Sequence, residues 1–334
     1  MSLPALIATL LGVSLTAYAL FAGADFGAGV LDLFVGNRGG ARDAIAATIG
    51  PVWEANHVWL IFSITVLFSA FPAAFSALGT ALLAPLTVAL LAIVLRSAAL
   101  GLRANPHGRL RSQVLLSRLF GAASLVAPFA FGTVAGGLVQ VSISRRLGTA
   151  PVPRIPWASP FALAIGALAV ALCAQLAACF VALRVSGSDD PRLAEQFRRR
   201  GLQSGIAVLT LGLATPALAA AAAPAVWHRL TGPALPLLLV GLAAAALSLL
   251  ALWRRRYGLA RGSCLFTGAA VLWGWFVSQA PHLVGTRLTI HTAAATHAAL
   301  VSIALAGGVV LALVLPAMYL LFSVFARPEL EVTE

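Results

Sequence analysis

Three carboxylates stand apart from the other acids of this chain: Asp25 and Asp32 in "FAGADFGAGVLDLF", and Glu54 in "GPVWEANHVWL". Asp25 and Asp32 are seven residues apart, two helical turns, so on a helix they share one face. Glu54 and His57, three apart, also face the same way on a helix. A carboxylate beside an imidazole is a pairing that takes up and releases protons near neutrality. Both stretches adjoin apolar runs, where a charge is costly and calls for a surface position or a function. Spacing alone leaves two assignments open. In one, the groups hand protons inward from the cytoplasm. In the other, Glu54 stabilises a helix start near Pro51, Asp32 is solvated, and Trp53 and Trp59 anchor the segment in an interfacial belt.

Other residues with chemical potential are less persuasive. His291 and His297, six apart, do not share a helix face well, and the only methionines are Met1 and Met318, so a pair of axial haem ligands is not expected. Cys173, Cys179 and Cys264 lack CxxC spacing and read as buried thiols. Gly23 and Gly27 form a GxxxG pair that lets a neighbouring helix approach closely. Arg96, near the end of an apolar run, needs either a partner or a route to the surface, and snorkelling is the expected solution. The remaining seven acids are expected in loops or the tail, solvated. No phosphate loop, metal quartet or hydrolase constellation is present.

The elements that must position these groups follow from composition. Of 334 residues, 60% are hydrophobic and 10% charged, with a mean hydropathy of +0.97. That describes an all-α polytopic membrane protein, since a soluble domain could not cover so much apolar surface. The opening "MSLPALIATLLGVSLTAYALF" lacks a basic start and reads as a full span, not a removable signal. Crossings are expected near residues 4–24, 53–72, 77–99, 115–140, 160–183, 203–224, 233–253, 263–281 and 295–325, about nine in all. The net charge of +12 comes from 22 basic residues, all arginine, gathered in short runs between spans. Such runs orient a membrane protein and do not imply nucleic acid; they place the N-terminus outside. The polar connection at 185–202 separates a first group, 1–184, from a second, 203–334. Two four-helix groups plus one extra helix is the expected layout.

The succession "YALFAGADFGAGVLDLF", "IGPVWEANHVWLIFSITVLFSAFP" and "LRSAALGLR" resembles subunit II of the cytochrome bd quinol oxidases. The resemblance is specific over residues 15–103. It implies a haem-free partner of a homologous subunit I that carries the haems (b and d-type, or b-type alone) and the quinol site. A small single-span accessory subunit and a bound lipid or quinone are further expectations, as is the bacterial cytoplasmic membrane. The complex would reduce dioxygen to water with cytoplasmic protons.

Position by position, the resemblance puts Asp25 and Glu54 on a proton path, with Asp32 and His57 beside it. Trp59, with Trp53 and Asn56, would border a dioxygen route or the subunit interface. Arg96 and Arg103 match two arginines around the end of the third span and, with Gly23 and Gly27, would be structural. The family commonly carries acids where Ala22 and Gly101 stand here, and Gln or Glu in place of His57. A proton-coupled secondary transporter using Asp25 and Glu54 is the rival class.

Overall fold

The computed structural model describes residues 2–34, 40–49, 56–103, 110–141, 156–188 and 190–325, which are almost entirely helical. Trp53 and Glu54 lie outside the described residues. Helix α1, Leu3–Phe34, has 32 residues and so spans about 48 Å. It continues ten residues past the expected end at 24, carrying Asp25 and Asp32 inside the helix. It can do so because arginines from other elements compensate both charges. A short helix α2, Ala41–Ile49, follows; Ala41 and Ile45 pack inward, four residues apart on one face. Asp43 is therefore on a helix and not in a loop, although on its exposed side.

Proline sets the next boundaries. Helix α3, His57–Ala70, ends at Phe71 (φ −133°, ψ 58°), and Pro72 opens α4, Pro72–Ala81. The two helices meet at a 114° bend, because Pro72 has no N–H to continue the ladder and its ring suits a first helical turn. The third expected crossing consequently moves from 77–99 to α5, Leu83–Arg103. Arg96 is thereby two turns inside a helix and not at its end.

Helix α6, Leu110–Leu138, is followed by α7, Pro160–Val185, whose N-cap Ser159 accepts the Ala162 N–H. Asp190 and Pro191 form the same kind of start for α8, Pro191–Ala222, with the Arg192 N–H donating to Asp190 Oδ1 at 2.9 Å. The helix thus begins 12 residues before the expected 203 and takes in much of the polar connection, Glu195 included. Ala223 (φ −147°, ψ 67°) and Pro224 repeat the break seen at Phe71 and Pro72. They lead into α9, Pro224–Leu230, then α10, Leu235–Trp253, and α11, Tyr257–Gln279. A two-stranded antiparallel hairpin, β1 His282–Val284 and β2 Leu288–Thr289, precedes α12, His297–Phe325.

Among the described residues, seven helices are long and apolar enough to cross a membrane, and the bent α3–α4 pair would make eight. Helix α11, at the expected eighth crossing, is not among them despite its 23 residues. The architecture is that of an all-α polytopic membrane protein.

Helices α1 and α7 occupy the middle, each packed on several neighbours. Their contact depends on Gly27: a Cβ there would lie 1.8 Å from the Cys173 carbonyl oxygen. Gly23, one turn earlier, faces Leu176 at 3.3 Å. The GxxxG pair thus meets α7.

Candidate functional site

Asp25 and Arg96 form an ion pair buried wholly within this chain, 3% and 0% exposed. Arg96 Nη2 donates to Asp25 Oδ1 and also to the Asp25 backbone carbonyl at 3.3 Å. Its Nε donates to Ser124 Oγ on α6 at 2.8 Å, and that hydroxyl donates on to the Phe120 carbonyl. The guanidinium carbon sits 5.0 Å from the centroids of both Phe26 and Phe120, within cation–π range of each ring. The snorkelling expected of Arg96 does not occur. A partner is available, and pairing a buried charge costs less than leaving it alone.

Two turns further along α1, Asp32 makes a second pair. Arg103 Nη1 lies 3.2 Å from Asp32 Oδ2, and Arg42 Nε lies 2.9 Å from Oδ1. Asp32 is buried, which overturns the expectation that it is solvated. Arg103 also stacks over Phe120, 5.2 Å from the centroid. One ring therefore contacts two guanidinium groups, each paired with its own aspartate.

On the other side of Asp25 lies a polar cluster with aromatic walls. Tyr18, Ala22, Phe26 and Trp59 pack together with Ala92, Ala123, Ala127 and Cys173. The Tyr18 ring is 6.1 Å from His57 and 6.0 Å from Phe131, centroid to centroid. Trp59 is buried, so it is no belt anchor. Asn56 is buried beside it in sequence, immediately before α3.

Six of these side chains keep polar atoms without a partner among the described residues: Tyr18 Oη, Asp25 Oδ2, Asn56 Oδ1, both His57 ring nitrogens, Trp59 Nε1 and Arg96 Nη1. So many unpaired donors and acceptors in one buried region are unusual, and such groups mark functional positions.

Of the residues singled out by sequence, Asp25, Arg96, His57 and Trp59 are thus gathered in one region, with Asp32 and Arg103 two turns away. Asp25 lies nine residues inside the end of α1. Tyr18, Ser124, Phe26, Phe120 and Arg42 were not anticipated. The signal for Tyr18 was available: it precedes Asp25 by seven, as Asp25 precedes Asp32. Ser124 and Phe120 gave none, because small hydroxyls and phenylalanines recur throughout such helices.

Glu195 also departs from expectation. It lies on α8 and binds Arg198 through both oxygens at 2.7 Å, with Arg199 at 3.1 Å and Arg255 at 3.6 Å.

A separate apolar cavity of about 100 Å³ lies between α7, α8, α10 and α11, bordered by Phe161, Leu168, Val208, Leu238 and Trp275. Its lining contains no His, Cys or Met to ligate a haem iron and no ionisable group. Among the described residues no three His, Cys, Asp or Glu side chains gather to hold a metal ion.

A family profile described as cytochrome bd terminal oxidase subunit II matches residues 3–325. Subunit 2 of the Bacillus subtilis cytochrome bd ubiquinol oxidase is 30% identical over 125 residues, 37% of each chain. Subunit 2 of the Escherichia coli K12 cytochrome bd-I ubiquinol oxidase is 30% identical over 132 residues, 39% of this chain and 34% of that one. The matched segments thus span little more than a third of these relatives' length. The bd oxidase structure from Geobacillus thermodenitrificans includes a chain that superposes with a TM-score of 0.81 at 21% identity, covering 97% of this chain and 99% of that one.

Proposed function

Because the chain belongs to the cytochrome bd terminal oxidase subunit II family, we propose that it is the haem-free subunit II of a bd-type quinol oxidase. It would sit in a bacterial cytoplasmic membrane with its N-terminus outside, two helical groups joined by residues 185–202. Its partner is a homologous subunit I that holds the haems and oxidises quinol while dioxygen is reduced to water. A small single-span accessory subunit, and a lipid or quinone, complete the expected partners. This chain contributes assembly, an apolar way in for dioxygen beside Trp59, Trp53 and Asn56, and protons.

One observation carries the proton role: Arg96 occupies a single oxygen of Asp25 and Oδ2 has no partner among the described residues, in the same buried region as Tyr18 and His57. A fixed counter-charge keeps the carboxylate in place at low cost, while the free oxygen can exchange a proton with a neighbour. The path enters through Glu54 and continues through His57, Tyr18 and Asp25; Asp32, neutralised by two arginines, holds the rim of α1. The absence of family acids at Ala22 and Gly101 leaves the Tyr18–His57 side as the route this chain retains. The rival reading, a proton-coupled transporter with Asp25 and Glu54 as coupling acids, makes the same use of these groups and differs in having no haem-bearing partner.

Purification of the tagged protein in mild detergent, with a reduced-minus-oxidised spectrum, tests the assignment. Haem absorption and a co-purifying membrane subunit are expected. A colourless single-chain preparation would favour the transporter. Glu54→Gln then separates proton supply from scaffolding: normal assembly with slow oxygen consumption supports the former, lost assembly the latter.

A further inference from the structure

At the end of the molecule where α7 and α10 finish and α8 and α11 begin, arginines greatly outnumber acids. Glu195 is shared by Arg198, Arg199 and Arg255, and Asp190 is spent on the start of α8. Arg184, Arg254, Arg256 and Arg261 have no carboxylate partner among the described residues, and all four are exposed. Two of them, Arg254 and Arg256, belong to the tight turn joining α10 to α11. Within it Arg255 adopts φ +58°, a left-handed conformation that side chains other than Gly, Asn and Asp rarely take. The turn is closed by the Arg256 N–H donating to the Ala251 carbonyl at 2.8 Å and the Arg254 N–H to the Leu250 carbonyl at 2.9 Å. Sending Arg255 toward Glu195 leaves Arg254 and Arg256 on either side of it, turned to solvent. A strained non-glycine residue at such a turn is the kind of feature that persists for a function.

The surface beneath these charges is apolar. Trp253, directly before the turn, is 67% exposed, and Leu247, Leu250, Leu259 and Phe266 are exposed along α10 and α11. On the α7 side, the Arg261 guanidinium lies 5.5 Å from the Phe180 ring centroid, and Arg184 follows Phe180 by one turn of the same helix. A band of unpaired guanidinium groups above an exposed apolar helix face, with an indole at the boundary, complements a molecule with an anionic head and hydrocarbon tails. We infer that the α10–α11 turn, with Arg184 and Arg261, binds an anionic phospholipid by its headgroup phosphate. A soluble acidic protein or free phosphate would use the arginines and leave the apolar face unexplained. The inference does not depend on the oxidase assignment.

The test uses the full protein, in whatever complex it is extracted with, in nanodiscs of phosphatidylcholine containing a minor share of phosphatidylglycerol. Native mass spectrometry then counts the lipid retained after release. Preferential retention of phosphatidylglycerol is expected. It should fall about fivefold for each arginine removed in the series Arg254→Gln, Arg256→Gln and Arg261→Gln, and remain unchanged in Arg229→Gln, on α9. Raising salt from about 0.05 to about 0.5 M, which shortens the Debye length, should lower retention in the unmutated protein, so the question is decided even if a variant fails to fold. Equal retention of the two lipids, a triple variant that retains as much as the parent, or complete displacement of phosphatidylglycerol by millimolar inorganic phosphate would each overturn the inference.

Discussion

Arg96 on α5 donates to Asp25 on α1 across 71 residues of sequence, and the next pair, Arg103 with Asp32, spans 71 as well. Equal separations mean that α1 and α5 run in the same direction here, and that the two pairs are successive rungs two turns apart. The inner rung is sealed within protein while the outer one is half-open, with Arg42 as a third member. Their energetic weights should differ accordingly.

Breaking the inner rung from one side leaves a buried charge uncompensated. Arg96→Met is expected to cost about 3–5 kcal/mol, read from unfolding in detergent. Combining it with Asp25→Asn should restore much of that loss, because no lone charge remains. A double variant as unstable as the sum of the singles would mean that the pair is not coupled.

The outer rung is more exposed, and Arg42 remains to hold Asp32 when Arg103 is lost. Arg103→Leu should therefore cost about 1 kcal/mol or less. A loss as large as that of Arg96→Met, in the same unfolding assay, would contradict the ranking of the two rungs.

Packing of α1 on α7 predicts a sharp contrast between two glycines. At Gly27 an added Cβ meets the Cys173 backbone, which cannot rotate away, so Gly27→Ala should destabilise by about 1–3 kcal/mol. At Gly101 nothing lies within 4 Å, so Gly101→Ala should be neutral or gain up to about 1 kcal/mol of helix propensity. Thermal melts of the two variants side by side provide the check.

The relay assigned to Tyr18 and His57 predicts slow turnover without loss of structure. Tyr18→Phe removes only a hydroxyl that has no partner among the described residues, so assembly and thermal stability should be retained. Oxygen consumption should fall about tenfold, equivalent to about 1.4 kcal/mol on the barrier. His57→Leu should slow turnover as well, measured across about pH 6 to 8. Unchanged rates for both variants across that range would remove these residues from the path.

Much of this protein was decided along the chain. Hydropathy runs long enough to cross a bilayer made it polytopic and helical, and the start expected at 160 coincides with Pro160, whereas Pro72, Pro191 and Pro224 open helices that were expected to end or not to have begun there. The spacing of Asp25 and Asp32 put both on one face, and the order of three motifs identified the family. What the tertiary structure alone decided was the partner of each charge. Hydropathy treats an aspartate inside an apolar run as a cost and so places helix ends near it; once Arg96, Arg103 and Arg42 arrive from distant segments that cost is offset, and α1 runs on through both acids. For the same reason Arg96 reads as a snorkelling side chain until Asp25, Ser124 and two aromatic rings are brought around it. Charge compensation is a property of neighbours in space, which no local pattern contains.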